Sequence, residues 1–165
     1  MVREATLQIE TSRFGKIDID ESKIIFFTSG ILGFPEAKRY ILLPHPNSPF
    51  FWLQAVDVPD LAFVVIDPKV FFPDYNPRIP PEAKKELHIK DDDEICILNI
   101  VTIPKDKPEE MTVNLLGPII VNVSRKLAKQ IVLDSRRYPL REPLYPKLKQ
   151  PINPTEQELP LVKNV

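Results

Sequence analysis

Nineteen prolines against four glycines is the feature that most limits this chain of 165 residues. A proline inside a helix removes a backbone donor and clashes with the preceding turn. Prolines spread from Pro35 to Pro160 therefore cut the chain into short elements joined by stiff connections. The residues between them are rich in Val, Ile and Phe, which suit strands. Short runs of this kind recur without alternating helical patterns. That points to an all-β barrel or sandwich and away from a parallel α/β sheet.

Residues 6–10 and 16–20 alternate polar and apolar positions, with Ile17 and Ile19 on the inward side. Residues 23–27, 40–43, 52–56, 62–66, 94–102, 111–115, 119–123 and 130–133 bring the predicted strands to about ten. Residues 81–87 form the one helix candidate: proline is tolerated in a first turn, and an early Glu with later Lys suits the helix dipole. Beyond residue 138 the periodicity stops and the prolines become frequent. That stretch is expected to be extended or partly disordered, docking locally through Leu144 and Tyr145.

Half of the fourteen aromatic residues fall between Pro49 and Tyr75. Asp57-Val58-Pro59-Asp60, Asp67-Pro68 and Pro73-Asp74 divide this stretch into short buried strands. Phe71, Phe72 and Tyr75 lie beside turns, where burying all three is hard. Periodicity leaves them open to two readings, core or exposed binding surface.

The net charge is −1, which removes any bulk electrostatic case for binding nucleic acid or an anionic membrane directly. One cysteine, Cys96, excludes an intramolecular disulfide and fits a reducing compartment. No apolar run approaches the roughly 18 to 20 residues of a membrane helix. With no basic and apolar leader at its start, the chain is expected in the cytoplasm.

Catalytic and ligand-binding patterns are weak. His45 and His88 lie in a proline turn and at the end of the helix candidate, with no nucleophile signature nearby. Cys96 has no spaced thiol partner, so no zinc pattern exists. Asp91-Asp92-Asp93-Glu94 lacks the alternating spacing and glycine turn of a calcium loop. Gly30 and Gly33 enclose only Ile and Leu, which favours a turn over a phosphate cradle. Arg136, Arg137 and Arg141 could meet an acidic partner or RNA, or simply be a solvated strand end. By elimination the residues describe a binding protein without an active site or cofactor.

Eight motifs resemble the flagellar assembly factor FliW family and keep its order. They begin with Arg13-Phe14-Gly15, Gly30-Ile31-x-Gly33-Phe34 and Pro49-Phe50-Phe51-Trp52-Leu53-Gln54. Asp57-x-Pro59-Asp60-Leu61-Ala62-Phe63, Asp67-Pro68 and Phe72-Pro73-Asp74-Tyr75 follow. Leu98-Asn99-Ile100-Val101-Thr102-Ile103-Pro104 and Met111-Thr112-x-Asn114-Leu115-x-Gly117-Pro118-Ile119 complete the set. The resemblance implies a small, partly open antiparallel β-barrel in residues 1–140, followed by a Pro-rich extension in residues 141–165.

It also implies a non-enzymatic role with two protein partners. One is flagellin, bound through its C-terminal region. The other is the RNA-binding translational regulator CsrA, which such a protein antagonises, so that flagellin level governs flagellin mRNA translation. Phe71, Phe72 and Tyr75 are the candidates for an apolar groove facing flagellin. Asp91, Asp92, Asp93 and Glu94 are the candidates for an acidic patch facing CsrA. The competing reading is a barrel that binds a small molecule, or a hydrolase built around His45 or His88. A permanent subunit of a larger assembly is a third.

Overall fold

In a computed structural model, residues 5–148 are described. Strands β1 (Thr6–Thr11) and β2 (Gly15–Asp20) form a hairpin of their own. Then come β3 (Ile25–Phe27), β4 (Arg39–Pro44), β5 (Phe51–Ala55), β6 (Ala62–Ile66), α1 (Pro68–Phe71) and α2 (Pro81–Glu86). The chain continues through β7 (Ile95–Thr102), β8 (Thr112–Val113), β9 (Ile119–Asn122), β10 (Leu127–Gln130), β11 (Glu142–Pro143) and α3 (Tyr145–Leu148).

The fold is an all-β barrel. Seven strands close a ring in the order β7-β6-β5-β4-β3-β10-β9, with β9 returning to β7. All neighbours are antiparallel except β10 and β3. The ring is thin around β3, whose ladders to β4 and to β10 are two residue pairs long. Alternation along the strands turns Ile25, Phe27, Tyr40, Leu42, Leu53, Val65, Leu98, Ile119 and Val121 into one buried cluster. Side chains therefore fill the space a small-molecule barrel would leave open.

Three layers cover the outside. The β1–β2 hairpin lays Ile9 and Ile19 on Ile41 and Val56. Helix α2 sets Ala83 and Leu87 against Ile120 and Ile131. The segment after β6 packs Phe71 and Tyr75 with Val101, Met111, Val113, Leu115 and Leu144.

Strand β7 serves two partners along one edge. Its first half pairs with β9 and its end pairs with β8. At the fork sits Asn99, fully buried, whose Nδ2 donates to the Asn114 carbonyl (2.8 Å) and to the Tyr75 hydroxyl (3.2 Å). The Tyr75 hydroxyl in turn donates to the Leu115 carbonyl (2.7 Å). Burial pushes the Tyr75 phenol up to about 12, so it remains a donor at any physiological pH.

Several elements differ from their sequence-based bounds. The strand expected over residues 130–133 is Leu127–Gln130, because the Val123–Lys126 turn (Lys126 at φ 57) leads straight into antiparallel pairing with β9. Ile131 and Leu133 still donate to the Pro118 and Leu116 carbonyls, outside regular strand geometry. The run over 111–115 keeps only Thr112–Val113 as strand. Asp67-Pro68 opens a helical turn: the Asp67 side chain accepts from the Lys69 N–H, with proline at the first helical position.

From residue 141 to 148 the chain stays on the body. Glu142 pairs with Val113, and Leu144 is fully buried. Tyr145 is 36% exposed. The remainder of the expected extension, residues 149–165, lies outside the described residues.

Replacing Asn99 with Ala leaves the Asn114 carbonyl without this donor and takes one bond from the Tyr75 hydroxyl, which keeps its own bond to Leu115. We expect a loss of roughly 1 to 3 kcal/mol, the cost of about one orphaned group. Urea unfolding of the variant beside the wild type measures it.

Candidate partner-binding surface

The segment 56–61 between β5 and β6 gathers four of the sequence motifs. Its scaffold is Gln54, fully buried on β5. The Gln54 Nε2 group lies 3.0 Å from the Ala55 carbonyl and 3.2 Å from those of Pro59 and Leu61, so it holds the segment folded over the end of the strand. Its Oε1 atom is buried and has no hydrogen-bond partner. A buried acceptor in that state costs about 1 to 3 kcal/mol.

The hairpin tip meets the same segment. Ser12 donates its N–H to the Pro59 carbonyl (3.0 Å) and its hydroxyl to the Asp60 carboxylate. Arg13 lies 4.1 Å above the Trp52 ring, and Phe14 meets that ring edge-on at 6.1 Å. A polar pocket of about 220 Å3 opens between these groups, lined by Ser12, Arg13, Gln54, Pro59, Asp60 and Ala62.

The other flank of the segment is apolar. Gly33, Phe34, Pro35, Ala37, Val58 and Leu61 line a groove of about 380 Å3, together with Glu36. Phe34 is 44% exposed and stacks edge-on against Phe63 at 5.3 Å. The turn that presents it is tightly built. The Phe34 N–H donates to the Ile31 carbonyl (2.7 Å), and the Leu32 N–H donates to Gln130 Oε1 (2.9 Å). Gly30 sits at φ +72, and a Cβ there would lie 2.7 Å from the Pro35 Cα. Only glycine fits that corner. Leu32 projects from the same turn, 60% exposed.

The residues singled out from sequence fall elsewhere. Phe71 and Tyr75 are core residues, 4% and 9% exposed, and offer no open groove. The reason is the turn at Asp67-Pro68, which folds the segment back so that Phe71 lies against the barrel wall and Tyr75 joins the Asn99 network. Phe72 is half-buried, with the Lys147 ammonium 5.6 Å from its ring.

Among the four acids, Asp91, Asp92 and Glu94 are exposed. Asp93 is half-buried and structural. Its Oδ2 accepts from the Lys90 N–H (2.9 Å), Asn122 Nδ2 (3.0 Å) and Arg125 Nε (3.3 Å). The backbone bond from Lys90 and the side-chain bond from Asn122 hold its carboxyl below the usual carboxylate range.

His45 and His88 are exposed and far apart in role. His45 rests beside Trp52 at 6.3 Å, and His88 follows α2 at φ 52. Cys96 is buried, and burial pushes its thiol up to about 12. Among the described residues, no group of three or more His, Cys, Asp or Glu is placed to hold a metal ion, and no helix is long and apolar enough to cross a membrane.

The family model for the FliW protein matches residues 8–144. The chain belongs to the FliW family. It is 44% identical over 139 residues to the flagellar assembly factor FliW of Geobacter sulfurreducens, covering 84% of this chain and 87% of that protein. It is 42% identical over 141 residues to that of Magnetococcus marinus, covering 85% and 86%. A crystal structure of the flagellar assembly factor FliW superposes with a TM-score of 0.78 at 34% identity, over 86% of this chain and 99% of that one. The FliW motifs over residues 13–15, 30–34, 49–54 and 57–63 are thus the ones that converge on the segment 56–61.

Because the folded Asp93 value is depressed, its contribution to stability is full above the ordinary carboxylate value of 3.8 and is lost as pH falls through the lower folded value. The stability gap between wild type and Asp93→Asn should therefore be constant near neutral pH and close in strong acid. Urea midpoints across that range test it.

Proposed function

We propose that this chain is a non-catalytic cytoplasmic assembly factor that binds flagellin and, alternatively, CsrA. Family membership supports the flagellar role. The observation that carries the binding reading is the rigid, exposed apolar groove at Phe34, Val58 and Leu61 on a barrel whose interior is filled. Aromatic and aliphatic side chains held on rigid supports give protein interfaces their affinity with little ordering cost.

Flagellin bound by the chain frees CsrA to repress flagellin mRNA, and depleted flagellin reverses the exchange. The direction is set by relative affinities and concentrations. In calorimetric titrations each partner alone should bind with submicromolar affinity, and each should weaken the apparent affinity of the other. Binding of neither by the folded chain would overturn this function.

The exposed acids Asp91, Asp92 and Glu94 form the corner proposed to face the basic, RNA-binding partner. With Asp93 reserved for the fold, the informative variant combines Asp91→Asn, Asp92→Asn and Glu94→Gln. It should slow association with CsrA and flatten its salt dependence, read by stopped-flow mixing at several ionic strengths. Unchanged rates at every salt concentration would move the CsrA contact to another face.

A further inference from the structure

The β1–β2 hairpin is a sheet of two strands, so each strand has one edge that no other strand covers among the described residues. Two bonds fix which backbone groups of β1 reach its outer edge. The Ala5 carbonyl accepts from the Glu21 N–H (2.9 Å), on the β2 side. The Ser12 N–H donates to the Pro59 carbonyl (3.0 Å), on the other side. Backbone groups of successive residues turn to opposite edges of a strand. The backbones of Leu7 and Ile9 therefore address β2, and those of Gln8 and Glu10 point away from it. Among the described residues, no backbone partner meets the N–H or C=O of Gln8 or Glu10.

A cleft of about 300 Å3 runs along this edge. Residues 7–10 form one wall, and Val56, Asp57 and Pro59 form the other with Arg39. The bond from Ser12 to Pro59 belongs to the same edge, so a backbone partner already reaches β1 from this side. The outer edge of β2 is different. It carries Lys16, Asp18 and Asp20, charges of the kind that keep a further strand away. Beside the cleft β1 carries Gln8 and Glu10, and Glu10 lies 4.0 Å from Lys16.

We propose that β1 receives an extended segment of a protein partner as a third strand of this sheet. The backbone groups of Gln8 and Glu10 supply its hydrogen bonds. Residues directly opposite one another share a face of a sheet. Partner side chains opposite Leu7 and Ile9 therefore point down into the cleft, against Val56 and Pro59. Arg39 and Asp57 are bonded to each other at 2.9 Å, so neither asks the occupant for a charge. The ligand is an uncharged extended segment with an apolar residue at every second position. This deepens the reading of the chain as a partner-binding protein and rests on it.

The test is residue-by-residue amide hydrogen exchange on the full chain, free and with flagellin, with CsrA or with a short synthetic peptide alternating Thr and Val. A fully N-methylated copy of the peptide keeps the side chains, lacks the donors and serves as the control. In the free chain Leu7 and Ile9 should be protected, and Gln8 and Glu10 should exchange freely. At least one partner and the Thr/Val peptide should slow Gln8 and Glu10, and the methylated peptide should not. Gln8→Pro removes one edge donor and leaves the bonds to β2, which come from its neighbours; proline is tolerated on an edge strand. It should weaken that binding by about tenfold. Should this variant fail to fold, exchange in the wild type decides alone.

If flagellin and CsrA bind but leave Gln8 and Glu10 exchanging freely, the edge is not the site, while the assembly-factor function stands. If neither binds, that function falls, and the peptide decides the edge: protection of Gln8 and Glu10 upholds the proposal, and none overturns it. Protection of both amides in the free monomer would mean that the chain covers its own edge, which overturns it. A dimer in sedimentation that Gln8→Pro dissolves would make the occupant a second copy of the chain and also overturn it.

Discussion

The fork in β7 is the constraint on which the barrel depends. A strand edge can hold one neighbour at each point, yet β7 must close the ring with β9 and also carry β8. The change of partner interrupts the backbone ladder, and buried carbonyls left at an interruption need donors. Asn99 supplies them from a side chain, reaching Asn114 directly and Leu115 through the Tyr75 hydroxyl. The outer layer follows from that choice. Tyr75 comes from the segment after α1 and its ring meets Tyr138 at 5.5 Å, so the covering chain is fastened where the ladder along β7 changes partner.

Buried amides do the same work at two further points. Asn122 donates to the Leu87 carbonyl and to Asp93, tying α2 and the following loop to β9. Gln54 fastens the segment 56–61. Each is a polar residue within an otherwise apolar strand, where alternation alone predicts only a core or solvent position. Such residues are costly when unmatched and specific when matched. They explain how a protein with few helices holds its loops in fixed places.

The strands were legible where one face is buried and the other wet, as in β1 and β2, and where turn signals bound a short apolar run, as in β6. Residues 62–66 and the alternating pair 6–10 and 16–20 are found as strands almost at their expected bounds. The 130–133 run misled because Ile131, Val132 and Leu133 are more apolar than Leu127–Gln130, while hairpin geometry chose the latter. The signal for α1 was present in Asp67-Pro68, a cap followed by a tolerated proline, but four residues carry no periodicity.

The candidate surface was partly legible. Its motifs were visible one by one, but their meeting was not, since Phe34 and Val58 touch one groove only after β4 and β5 have paired. Phe71 and Tyr75 were ambiguous for a physical reason: an aromatic beside a turn looks alike from sequence whether the turn folds it inward or out.

The parallel contact between β3 and β10 has a consequence for how the chain comes to be folded. It joins Phe27 to Ala128 across roughly a hundred residues through only two residue pairs. Loop closure of that span is unfavourable, and so short a ladder offsets little of it. The meander from β4 to β7 needs only near neighbours and can assemble early. During synthesis the nascent sheet therefore waits with bare edges until β9 and β10 have left the ribosome. That interval is when the chain is most open to pairing with the wrong strand.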